Sequence, residues 1–71
     1  MIVKIIDQKG SFVQETDYIL ISQYSDQVKI LSNHEDIVYS INDGIVKMRD
    51  FEMKIDSGFC VIKNDNYLLI I

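Results

Sequence analysis

Thirteen isoleucines and six valines stand against four leucines and no alanine in this chain. Branching at Cβ stiffens χ1 and crowds a helix, whereas a pleated strand accommodates it; helices favour alanine and leucine. No stretch sustains a 3.6-residue period. The apolar residues recur instead in short alternating runs broken by Gly, Asn, Asp and Ser. An all-β fold is therefore expected, a flattened sandwich or barrel of about eight to ten short strands. The 71 residues allow one domain, 1–71, without linker or repeat. A domain of ~60 residues buries only about 60% of its unfolded surface, so packing must be efficient or a partner must help.

The expected strands follow in order. Met1–Asp7 and Ser11–Glu15 flank a turn at Asp7-Gln8-Lys9-Gly10, where glycine can take positive φ. Tyr18–Gln23 and Gln27–Leu31 flank Ser25-Asp26. A polar break, Ser32-Asn33-His34-Glu35-Asp36, leads into Ile37–Ile41. Asn42-Asp43-Gly44 reads as a turn. Ile45–Arg49 and Phe51–Asp56 are separated only by Asp50. In the latter, Phe51, Met53 and Ile55 alternate with Glu52, Lys54 and Asp56, so one side is wet. Ser57-Gly58 is expected to break the pattern before Phe59–Lys63 and Tyr67–Ile71.

Eleven acidic against seven basic residues give a net charge of -4. Nucleic-acid binding needs a basic stripe to displace counterions from phosphates, and here the cations are scattered and outnumbered. Anionic lipid is disfavoured on the same ground. No segment approaches the ~20 apolar residues of a membrane span. The start, Met1-Ile2-Val3-Lys4, lacks a basic n-region and a cleavage site, so an intracellular protein is expected.

Catalytic chemistry finds little to work with. His34 is the only histidine. Glu35, Asp36 and Ser32 are its sequence neighbours, but no nucleophile-elbow pattern surrounds them. Cys60 lies in the apolar run Gly58–Ile62 and reads as a small buried hydrophobe. One Cys and one His cannot furnish a structural zinc site, and no calcium-loop or phosphate-cradling pattern appears. No enzyme, cofactor or metal is expected.

Two stretches carry a family likeness. Asp26-Gln27-Val28-Lys29-Ile30-Leu31-Ser32-Asn33-His34 resembles the Gly-Glu-Leu-Gly-Ile-Leu-Pro-Asn/Gly-His signature of the epsilon subunit of F-type ATP synthases. In that family a strand-opening Gly follows the His by ten residues, as Gly44 follows His34 here. Ser57-Gly58-Phe59-Cys60-Val61-Ile62, a polar turn and Tyr67–Ile70 are similar to the family's Gly-Gly-Phe-x-x-Val, turn and closing strand. Met1–Glu15 matches its opening hairpin, so the resemblance spans the chain. Ser32 stands for the usual Pro, Lys29 for a Gly, Asp26-Gln27 for Gly-Glu, Glu35-Asp36 for Ala-Pro, and Ser57 for a Gly.

This resemblance implies the N-terminal β-sandwich domain of epsilon, without the family's C-terminal helical hairpin. It implies a non-catalytic rotor subunit at the foot of the central stalk, peripheral on the cytoplasmic face of the membrane. Its partners would be the gamma subunit, met through an apolar face, and the polar loops of the c-ring. Gln27, where the family has a Glu, together with Ser32, Asn33 and His34 would line that interface. Two other readings compete: a stand-alone β-sandwich adaptor in another assembly, and a small enzyme with a pocket at His34. A free chain is also expected to self-associate through its unprotected surfaces.

Overall fold

A computed structural model describes residues 1–71. The chain is all β, with seven strands and no helix: β1 (Ile2–Asp7), β2 (Gly10–Glu15), β3 (Ile19–Gln23), β4 (Asp26–Ile30), β5 (Ile37–Met48), β6 (Phe51–Lys63) and β7 (Asn66–Ile70). They form one mixed sheet in the order β2-β1-β7-β6-β5-β3-β4. Only β1 and β7 run parallel. β2 and β4 are the two free edges, so the sheet is not closed into a barrel.

The expected eight to ten strands are thus seven. Asn42-Asp43-Gly44 and Ser57-Gly58, expected to separate strands, lie within β5 and β6. Each is one continuous strand, and the two pair without a register change from Ile37↔Ile62 to Met48↔Phe51. What the polar residues make there is a crease. Asp43 has φ +49°, a left-handed conformation that Asp tolerates better than most residues. Asn42 and Asp43 both face solvent, as do Asp56 and Ser57 on the partner strand. The inward phase of β5 therefore switches from Tyr39 and Ile41 to Gly44, Val46 and Met48. That of β6 switches from Met53 and Ile55 to Gly58, Cys60 and Ile62 at the same level.

The crease divides the sheet into two halves. One contains β2, β1, β7 and the ends of β6 and β5 that meet at Ile62↔Ile37. The other contains the hairpin end of β5 and β6, with β3 and β4. Val3, Ile5 and Leu69 of the first half are fully buried, as are Ile19, Ile21 and Val46 of the second. One face of a lone sheet cannot be dry, and no helix covers these residues, so the halves cover each other. All 13 buried hydrophobic residues form one cluster.

Glycine sits on the inside of the crease. A Cβ at Gly58 would lie 2.5 Å from the Ile70 carbonyl oxygen, and one at Gly44 would lie 2.8 Å from Ile41 Cγ2 and 3.2 Å from the Ser22 carbonyl. Thr16 joins the halves at one end. It is buried, and its Oγ1 donates to the Tyr18 carbonyl and accepts from the Arg49 N–H. Met1 and Thr16 also exchange two backbone hydrogen bonds.

The remaining reversals are short. Asp7 Oδ1 accepts from the Lys9 and Gly10 N–H groups, closing the turn where it was expected. Asn64 and Asp65 both have positive φ, the backbone of a two-residue hairpin loop whose twist matches the strands.

Gly58→Ala should destabilise the domain by about 1–3 kcal/mol, since the neighbour it meets is backbone and cannot rotate away. A lowered urea midpoint with an unchanged m-value is the expected result.

Candidate functional site

The two halves present unlike outer faces. On the β2-β1-β7-β6-β5 half, register aligns Val13, Lys4, Leu68, Val61 and Val38 in one row. The next row is Ser11, Ile6, Ile70, Phe59 and Ser40. Ile2, Val13, Val38 and Phe59 are between 47% and 67% exposed, and a single charged side chain, Lys4, interrupts the two rows. On the other half the rows are Glu52, Lys47, Leu20, Lys29 and Lys54, Ile45, Ser22, Gln27. That face is mixed in charge and wet. Both faces come from the same alternation, so the difference lies in which residues fill the outward positions. Apolar side chains thus adjoin one another across the strands of this face.

The 31–36 segment leaves β4 at Ile30 and enters β5 at Ile37. It is tied down twice. Asn33, at φ +63°, donates its N–H to the Tyr67 hydroxyl at 3.0 Å. Asp36 Oδ1 accepts the Asn64 N–H at 3.0 Å. Ser32, Asn33 and His34 therefore share one loop beside the β6–β7 turn, with Ser32 and Asn33 exposed and His34 partly so. His34 Nδ1 donates to the Glu35 carbonyl at 2.8 Å.

Gln27 is not with them. It lies on β4, paired with Ser22, next to the Gln23↔Asp26 pair that closes the β3–β4 hairpin. Its Nε2 donates to Ser22 Oγ at 3.1 Å. The loop begins at the other end of β4, about 10 Å away at 3.4 Å per residue.

Two shallow open depressions mark the surface. One is lined by Asp7, Gln8, Lys9 and Ile71, the other by Asp36–Val38 and Val61–Lys63. His34 lines neither. No group of three His, Cys, Asp or Glu side chains is placed to hold a metal ion. Cys60 is fully buried on the inward face of β6, and burial pushes its thiol up to about 11. It is a core residue, as its apolar run suggests.

The resemblance implies an apolar docking face, but the sequence does not say which residues form it. The outward residues of β1, β6 and β7 adjoin one another only through the pairing of β1 with β7, and nothing local announces that pairing.

No protein-family model matches the chain, and comparison with curated proteins finds no match.

Tyr67→Phe should release the Asn33 N–H and cost about 1 kcal/mol, with faster amide exchange confined to the 31–36 loop. Cys60 should also give stability a pH dependence. Below its ordinary value of 9.0 both states hold the proton. Between 9.0 and about 11 the unfolded chain releases it first. Stability then falls as pH rises, by at most about 1.4 kcal/mol per unit. Denaturation across this range should show a component that Cys60→Val removes.

Proposed function

We propose that this chain is a non-catalytic central-stalk subunit of an F-type ATP synthase, an epsilon-type flattened β-sandwich. It binds the gamma subunit and the c-ring, coupling ion translocation to ATP synthesis or hydrolysis. The observation that carries this reading is the asymmetry of the two outer faces. Gamma docks on the apolar face around Phe59, Val61, Leu68 and Val38. The loop of Ser32, Asn33 and His34 supplies polar contacts to the c-ring, with Gln27 contributing from the far end of β4. Two features of the fold support the reading. The motif containing Gly58 forms the inside of the crease, and the closing strand pairs with the opening one. The subunit takes no cofactor and meets the membrane only through the complex, on its cytoplasmic face.

The departures within Asp26–Asp36 favour one alternative, an adaptor of the same sandwich fold in another assembly. There Ser32, Lys29 and Gln27 stand where the family has Pro, Gly and Glu.

Tagged chain mixed with detergent-solubilised membranes of the source organism should retain a gamma-like coiled-coil protein and catalytic ATPase subunits. The double variant Val38→Asp/Phe59→Asp should retain at least about tenfold less of them, because it places charge in an apolar contact. Its circular dichroism should be unchanged, since both side chains point outward. Lys47→Ala, on the wet face, should behave as wild type. Recovery of an unrelated protein, with ATPase subunits in the input but not in the eluate, would sink the rotor reading in favour of the adaptor.

A further inference from the structure

We propose that two copies of this chain pair edge to edge, β2 against β2 in antiparallel fashion, about a two-fold axis opposite Phe12. The argument begins with the hydrogen bonds of Met1 and Thr16. These two exchange both backbone bonds, so theirs is a hydrogen-bonded pair of the β1–β2 ladder. Hydrogen-bonded and non-hydrogen-bonded pairs alternate along antiparallel strands. Counting along the register from there, Gln14, Phe12 and Gly10 direct their N–H and C=O groups toward β1. Ser11, Val13 and Glu15 direct theirs to the free edge.

That edge is accessible and unguarded. Every residue of β2 is exposed except Gln14, which is half-buried. Between Gly10 and Gln14 it holds no charged residue and no proline, the devices that normally blunt a sheet edge. The other free edge differs. β4 carries Asp26 and Lys29, and the Lys29 ammonium stands 5.4 Å over the Tyr18 ring. Pairing there would put those charges in the seam.

Self-complementarity selects a second copy as the occupant. With Phe12 opposite Phe12 of the other copy, Ser11 and Val13 of one strand face Val13 and Ser11 of the other. All four are outward-directed residues, so each pair can exchange two bonds. The same register brings Lys9, in the turn just before β2, to the level of Glu15 of the other strand. Two opposite-charge pairs then flank the seam, and no like charges meet.

The seam runs along the β2 edge, where Ser11 and Val13 also end the two outer rows, but it is made by backbone hydrogen bonds and not by apolar area, so the proposal does not depend on the rotor reading. The test is sedimentation equilibrium of the whole chain over a range of concentrations. Wild type should dimerise reversibly. Val13→Pro removes only a free edge donor, so it should remain folded by circular dichroism yet sediment as a monomer. Glu15→Lys should weaken the dimer by about tenfold, and the swapped pair Lys9→Glu/Glu15→Lys should restore it to within about threefold. This charge swap tests the register even if the proline variant fails to fold. A wild type that stays monomeric to about 1 mM, a folded Val13→Pro that still dimerises, or a swap that restores nothing overturns the proposal. So does a dimer lost in Val38→Asp/Phe59→Asp but kept in Val13→Pro, which would locate association on the apolar face instead.

Discussion

The crease in the β5–β6 hairpin is the constraint on which the rest depends. A chain of 71 residues with no helix has nothing but its own sheet to cover its core. Two long strands must therefore serve both halves, and their inward phase must change partway along. A residue inserted in one strand would change the phase of that strand only. Here both strands change phase at the same level without losing register, through left-handed Asp43 and the paired outward residues Asp56 and Ser57. Gly44 and Gly58 then leave room on the concave side for the strands that flank the hairpin.

Once the sheet is folded over, every strand except the exposed edge strand β2 has one dry face and one outer face. The outer faces are where the halves part company. β1, β6 and β7 fill outward positions with Ile, Phe, Val and Leu, whereas β3, β4 and the hairpin end fill theirs mostly with Lys, Glu, Ser and Gln. Folding does not need the first set, because the core is complete without it. They stay exposed in the folded domain, which therefore has one largely apolar and one largely polar outer face. The edge of β2 is a second unmet demand, in backbone hydrogen bonds instead of apolar area.

Local signals were legible where one short segment decides the outcome. The Asp7–Gly10 turn and the alternation of Phe51–Asp56 are present as expected. Asn42-Asp43-Gly44 was read as a chain reversal and is a bend. The same residues supply positive φ for either outcome, and the choice depends on whether the flanking runs pair with each other or with a third strand. Of the residues proposed for the interface, Ser32, Asn33 and His34 are consecutive and so fall together in one loop. Gln27 is separated from them because β4 extends through Ile30, and its hydrogen bond to Ser22 requires the β3–β4 hairpin to have formed.

By itself the sequence determined the class of fold. Branched apolar residues in alternating runs, with turn residues between them, suit pleated strands and little else. It also determined that Cys60 would be a core residue, since its neighbours are apolar on both sides. Tertiary structure decided the strand order, the parallel contact of β1 with β7, and hence which outward side chains merge into one apolar face. The physical reason is that alternation assigns each residue to a side of its own strand, a local property. Which strand lies next to which is set by long-range pairing, where the free energy depends on how the two halves of the sheet exclude water from each other.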